Sequence, residues 1–497
     1  MAWSSIRGSV TAAAYAHPVF PAHRYDLVVI GMGSGGMVAA EFAASLPLRV
    51  AVVEQDRVGG DCLWTGCVPS KALLASAKAA HTMAVADRYG LPAVRPEIDT
   101  SLVWKRIREI QQDIAATDDN PDRFEAMGVE VVRGTARLTG PNSVLVSHCT
   151  GEGTGSEREL ESRVILLCTG SRPAVPPLDG LHQAGFLTSE TLFEIDRAPR
   201  SIVMVGGGPI AIEMAQAFVR LGVRTTVLQR GPRILPRDDP ALVDVLTRLL
   251  GDEGADLRTN VSTDRVTVSG SSKVVHGSEN GEPARWEGEE LLVAVGRRPN
   301  VEGLGLEEVG VKVGKRGVEI DERMRTSVPS VYACGDVAGR YLFTHSAGYE
   351  AVRAVRDAFF PGKGKVTDFV PWCTFTDPEL AHAGLTVAEA EEKHGDDVEV
   401  YRLDLSHSDR ARADGATEGA IVLVTAKGRL VGAHVLAPAG GEMIHELALA
   451  INEGMKLAEV ASLIHVYPTL STGIGQLAAE AAFEGAKRLR WLVRKEK

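Results

Sequence analysis

A strand, a glycine-rich turn, a helix and a second strand follow one another twice in this chain, with the same internal spacing. The first copy has an apolar strand over 26–30, the turn Gly31-Met-Gly33-Ser-Gly-Gly36, a helix over 37–46 and a strand over 49–53 that ends on Glu54. The second has a strand over 201–205, the turn Gly206-Gly-Gly208-Pro-Ile-Ala211, a helix over 212–221 and a strand over 225–228 that ends on Gln229. In both copies the residue after the second strand lies 23 positions beyond the first glycine. This is the spacing of a Rossmann dinucleotide-binding unit, which builds a parallel α/β sheet. The glycines let backbone N–H groups approach a pyrophosphate at the helix N-terminus, and Glu54 can accept hydrogen bonds from a ribose. The chain therefore predicts two dinucleotide sites.

The second site differs where it matters for the nucleotide. Gln229 replaces the acid, Arg230 follows directly and Arg233 lies close behind. Losing the carboxylate removes repulsion for a 2′-phosphate, and guanidinium groups are shaped to bind one, so this site reads as preferring NADPH. The alternative is that both arginines belong to a solvated turn.

Just past the first unit stands Gly59-Gly-Asp-Cys62-Leu-Trp-Thr-Gly-Cys67-Val-Pro-Ser-Lys71, followed by an Ala-rich helical stretch over 71–87. Cys67 thus sits near a helix N-terminus, where unpaired N–H groups and the macrodipole favour a thiolate. The short spacing lets Cys62 and Cys67 close a disulfide that a neighbouring electron donor can open. The alternative is a pair of buried or stapling cysteines. Six cysteines in 497 residues are too few for a disulfide scaffold, and the default compartment is a reducing cytoplasm. Two dinucleotide sites and a dithiol imply an electron path. Nicotinamide does not hand hydride to a disulfide directly, so a flavin between them is the natural inference. Residues 31–54 would hold FAD and residues 206–230 NADPH.

The remaining composition narrows the partners. A net charge of −11 argues against nucleic acid or an anionic membrane surface, and the apolar runs are strand-length, far short of a membrane span. No cluster with metal-ligand spacing points to a resident metal.

The chain resembles the flavoprotein pyridine nucleotide–disulfide oxidoreductases, the family of glutathione reductase, lipoamide dehydrogenase and mercuric reductase. Beside the cysteine box and the two Rossmann turns, the resemblance rests on Cys168-Thr-Gly170, Gly296-Arg-Arg-Pro-Asn300, Tyr332-Ala-Cys-Gly-Asp336 and Tyr467-Pro-Thr-Leu-Ser471. It implies that Cys67 touches the flavin and forms a charge-transfer complex with it, while Cys62 is the interchange thiol that meets substrate. Lys71 would lie near the flavin and pair with Glu213. Asp336 would bind the ribityl chain, Gly134 the adenine side of FAD, and Gly296 the nicotinamide dinucleotide. Gly60, Thr169 and Gly170 would complete the FAD cradle.

The fold implied is α/β, with two Rossmann-like domains for FAD and NAD(P) and an α+β C-terminal dimerisation domain. Residues 1–23 read as a flexible extension and 24–170 as the first part of the FAD domain. Residues 171–295 form the NAD(P) domain, inserted before FAD-domain elements resume over 296–365. Residues 366–497, with strands over 419–425 and 430–436 and helices over 441–453 and 472–485, form the dimerisation domain. The polar run 150–158 reads as a hairpin tip. The resemblance implies a cytoplasmic homodimer.

The C-terminal motif bears on the acceptor. Disulfide reductases of this family place His before Pro-Thr and an acid four residues after that Pro; here those positions are Tyr467 and Thr472. An imidazole of pKa near ~6.5 can hold a proton for a leaving thiol, whereas a phenol near ~10 cannot do so easily. His465, two residues earlier, is either a substitute or a structural histidine. A Tyr at this place, the cysteine box and the run 408–419 resemble the mercuric reductase branch, and soft divalent metals prefer thiolates. The acceptor class that this likeness implies is Hg(II) or another soft metal or thiol-reactive molecule, although the tail 487–497 lacks the cysteine pair that mercuric reductases usually carry near the C-terminus. The alternatives are dihydrolipoyl dehydrogenase or another disulfide reductase, a flavin-based quinone or electrophile reductase, and a non-catalytic flavoprotein scaffold.

Overall fold

The computed structural model describes residues 25–149, 156–362 and 364–488, so the expected extension 1–23 and most of the hairpin tip lie outside the described residues. Strand β1 (Tyr25–Ile30), helix α1 (Ser34–Ala44) and strand β2 (Val50–Glu54) form the first unit. After them come α2 (Cys67–Ala84), α3 (Thr100–Ala116), β3 (Val129–Arg133) and β4 (Ser156–Leu167). The parallel sheet order is β3-β2-β1-β4, and β9 (Val331–Ala333) returns much later to pair with β4. Strands β1 and β2 and the C-terminal end of β4 are largely apolar because helices and an antiparallel ribbon (Thr135–Gly140, Ser143–Cys149) cover both faces.

The second unit repeats the plan with β5 (Ser201–Val205), α4 (Pro209–Arg220), β6 (Arg224–Leu228), β7 (Asp256–Arg258) and β8 (Glu290–Val293). Its parallel order, β7-β6-β5-β8, matches that of the first sheet strand for strand. The chain enters and leaves this unit through an antiparallel pair, Ser171–Pro173 with Arg297–Pro299.

Helix α5 (Thr344–Phe359) packs on α1 and leads to an antiparallel sheet of β10 (Trp372–Thr374), β11 (Glu379–Gly384), β12 (Val398–Asp404), β13 (Ala420–Ala426) and β14 (Arg429–Ala437). Its order is β10-β11-β14-β13-β12, and helices α6 (Gly440–Asn452) and α7 (Thr472–Arg488) pack against it over a core of its own.

Two differences from the sequence expectation affect the site. Helix α1 starts at Ser34, not 37, because Gly33 in extended conformation is its N-cap and the remaining glycines already lie in the first turn. Helix α2 starts at Cys67, not 71, which puts that sulfur on the first helical residue. Among the described residues no helix is long and apolar enough to cross a membrane.

Candidate active site

A cleft of about 1680 Å³ runs between the first sheet and the elements that return to it, far larger than a small-ligand pocket and large enough for a dinucleotide. Its floor at one end is the first glycine turn. Among the described residues no side chain caps the head of α1, which leaves its leading N–H groups open at the cleft, an arrangement suited to a pyrophosphate. Gly36 is obligatory, since a Cβ there would lie 1.9 Å from the Gly31 carbonyl oxygen. Across the turn stands Gly60, whose Cβ would come within 2.8 Å of the Gly33 Cα and close the groove. Glu54 is buried at the end of β2, where it accepts from Met32 N–H at 2.6 Å and Asp56 N–H at 2.8 Å. It therefore braces the turn while lining the cleft. Gly134, bonded through its N–H to the Glu54 carbonyl, continues the same wall. These residues fit FAD.

The opposite end carries charge. Asp336, just after β9, lines the cleft beside Thr169 and Gly170. It accepts from Ser171 Oγ at 2.5 Å and lies 3.6 Å from the Arg297 guanidinium. Burial pushes its carboxyl above the ordinary range. Arg297 also reaches Asp61 at 3.1 Å, the residue next to Cys62, so one guanidinium ties Asp336 to the cysteine box. Both residues lie within motifs of the sequence, but their 236-residue separation hides the contact.

Both cysteines of the box line the cleft, and in the reduced pair Cys62 donates a hydrogen bond to Cys67. The hydrogen bond from Cys62 pulls Cys67 down to about 6, with a further contribution from Thr344, whose Oγ1 lies 3.3 Å from the sulfur, and from the Lys71 charge. Cys62 moves the opposite way: donating to Cys67, and then burial, push its thiol up. The proton of the reduced pair thus resides on Cys62 and the negative charge on Cys67, at the uncapped head of α2. Thr344 opens α5, 277 residues from Cys67, and is a site residue that the linear sequence does not reveal.

Lys71, one turn along α2, forms a 2.9 Å ion pair with Glu213 of α4. Glu213 is buried and also accepts from Phe375 N–H at 2.9 Å, while the Lys71 ammonium sits 4.3 Å over the Phe375 ring. The pair joins the first unit, the second unit and the C-terminal sheet at one point.

The second glycine turn lies outside this cleft's walls apart from the residues at the head of α4. Gln229 takes over the bracing that Glu54 performs in the first unit, accepting from Gly207 N–H at 3.1 Å. Gly206 has φ +117°, Gly208 is an uncapped N-cap with open space around it, and Ala211 is buried in the first turn of α4. Gly296 accepts from Ala174 N–H at the crossing between the units. The two arginines part company. Arg230 is exposed and forms no ion pair among the described residues, whereas Arg233 is held by Asp244 at 2.9 Å.

Tyr467 does not line the cleft of its own chain. It is 67% exposed and donates its hydroxyl to Asp409 at 2.9 Å. That bond with the carboxylate holds the phenol proton more firmly than usual. His465 points inward instead, bonded to Glu446 at 2.8 Å, and packs so closely on α7 that a Cβ at Gly475 would lie 2.7 Å from its ring. It is a structural histidine here.

Comparison with known proteins agrees with this geometry. Residues 25–351 match the pyridine nucleotide-disulphide oxidoreductase family, and residues 370–478 match its dimerisation domain. A dihydrolipoyl dehydrogenase of Thermus scotoductus is 36% identical over 93% of this chain and 98% of its own length. A mercuric reductase of Streptomyces lividans is 34% identical over 92% of this chain and 96% of its own. Among solved structures, the HOCl-induced flavoprotein disulfide reductase RclA from Escherichia coli superposes with a TM-score of 0.79 at 26% identity, over 92% of this chain and 99% of that one. The chain belongs to the pyridine nucleotide-disulphide oxidoreductase family, whose members use FAD and a pyridine nucleotide.

Proposed function

We propose that this member of the family is a cytoplasmic, homodimeric NADPH oxidoreductase that passes two electrons through Cys62 and Cys67 to Hg(II) or another soft, thiol-reactive acceptor. The observation that carries the reading is the combination of a polarised dithiol with Tyr467, hydrogen-bonded to Asp409, where an imidazole would be needed to protonate a leaving thiol. Bound FAD supplies the two-electron relay between nicotinamide and the dithiol. The division at 24–170, 171–295, 296–365 and 366–497 is part of this reading, supported by the ribbon through which the chain enters and leaves the second unit.

The roles of the chain's own groups follow from their charges. Cys67 holds negative charge at the head of α2, and the Lys71–Glu213 pair keeps a cation beside it without adding net charge. Cys62 carries the exchangeable proton; when a soft ion binds, that proton leaves and both sulfurs become ligands. For a divalent metal the balance is NADPH plus M(II) giving NADP⁺, M(0) and one proton. Arg230 is exposed and outside any ion pair among the described residues, so its guanidinium would be free to pair with a 2′-phosphate, which supports NADPH over NADH.

A second reading, dihydrolipoyl dehydrogenase, is favoured by the identity to the Thermus scotoductus enzyme. An acceptor panel separates the two. NADPH oxidation is followed with Hg(II) in excess thiol, lipoamide, glutathione disulfide and a quinone. The proposal expects Hg(II) to be turned over at least tenfold faster than either disulfide, and rapid lipoamide turnover would overturn it.

A further inference from the structure

Four cysteines lie outside the box, and two of them meet. Cys168 follows β4 and Cys334 follows β9, and these strands are parallel neighbours in register, with Leu167 opposite Ala333. The backbone ladder carries on past the strand ends, since Cys334 N–H donates to the Leu167 carbonyl at 3.1 Å. Residues side by side on adjacent strands are about 4.8 Å apart at the backbone, within the Cα range of a disulfide. Both side chains turn the same way, and their sulfurs stand 3.4 Å apart. Both line the cleft, Cys168 at 8% exposure and Cys334 at 1% beneath it.

We propose that Cys168 and Cys334 form a second redox-active dithiol, distinct from the cysteine box, that a hydroperoxide converts into a disulfide across the floor of the cleft. Cys168, the less buried residue of the two, attacks one oxygen of hydrogen peroxide; the O–O bond breaks, and Cys168 becomes a sulfenic acid with release of water. Cys334 then attacks that sulfur; the S–O bond breaks, the S–S bond forms, and the Cys334 proton leaves with the hydroxide as a second water. Two thiols and one peroxide give one disulfide and two waters. The order follows from the site. The hydrogen bond with Cys168 and full burial push the Cys334 thiol well up, which suits it to resolving and not to first attack.

The bond would join the segment carrying Thr169 and Gly170 to the segment carrying Gly335 and Asp336, two walls of one cleft. It is independent of the acceptor and of the Cys62–Cys67 pair. The two dithiols flank the first turn of α1: Ser34 hydrogen-bonds Cys62, and a Cβ on Gly35 would lie 3.3 Å from the Cys334 sulfur.

Peptide mapping tests this on the purified flavoenzyme treated with hydrogen peroxide, denatured, alkylated and digested with trypsin. Closure of the box is internal to residues 58–71 and removes two hydrogens from one peptide. Closure of the second pair joins 164–197 to 326–340, and that cross-link is the expected result. The thiol titre of the denatured chain should fall from six past four to two. In Cys334→Ala, Cys168 should instead be trapped as a sulfenic acid by dimedone. Recovery of 164–197 and 326–340 separately alkylated, when 58–71 is fully closed, would overturn the proposal. So would over-oxidation of Cys168 without a cross-link.

Discussion

Replacing Cys62 by Ala removes the donor that most lowers Cys67, and the consequence can be worked out from the site. With Cys67 at about 6 in the reduced protein, the thiolate is about 97% populated at pH 7.5. A cysteine returned to an ordinary value near ~8.5 would be about 9% thiolate at that pH, a roughly tenfold loss of nucleophile. The Thr344 hydroxyl, the Lys71 charge and the α2 N-terminus remain in the variant, so the midpoint should settle between these limits. Cys62→Ser keeps a donor at the same place and should move the midpoint less than Cys62→Ala. The assay is the pH profile of iodoacetamide alkylation in the reduced flavoenzyme, with modification mapped to residues 58–71. A midpoint that stays near 6 in Cys62→Ala would refute the assignment of the shared proton and leave the helix terminus or Lys71 as its cause.

Other outcomes follow from single contacts. Lys71→Met strands the buried Glu213 carboxylate with one backbone donor, and because Lys71 itself is 40% exposed the loss in urea unfolding should be about 1–2 kcal/mol. Arg230→Glu should raise the KM for NADPH at least tenfold with little change for NADH, whereas Arg233→Ala should change it less, its guanidinium being engaged by Asp244. His382 is buried against Trp372 and pushed down to about 3, so it stays neutral in the fold while the unfolded chain protonates near ~6.5. Stability is then full above pH 6.5 and is lost as pH falls toward 3, by about 1.4 kcal/mol at pH 5.5 from this residue alone. Chemical unfolding across that range should show the loss, and His382→Phe should flatten it.

What the linear sequence discloses here is whatever depends on spacing along the chain. The doubled strand–turn–helix unit, the closing Glu54 and Gln229, and the position of Cys67 at a helix head are local and readable. The Lys71–Glu213 pair is readable only through family resemblance, since 142 residues separate its members. Contacts made by chain return are hidden altogether: Thr344 against Cys67, Arg297 between Asp61 and Asp336, and Asp409 beneath Tyr467. The same limit explains Arg233, which the sequence offers as an equal of Arg230 and which the fold turns toward Asp244. It explains the helix starts too, because a glycine run lowers helical propensity while tertiary packing still draws it into the first turn of α1.

The central claim is that electrons from NADPH reach a thiolate at Cys67 by way of the flavin. Anaerobic NADPH titration of the purified yellow protein, read at long wavelength, tests it most directly. The account predicts a charge-transfer band in the native chain that disappears in Cys67→Ser, and an undiminished band in that variant would contradict it.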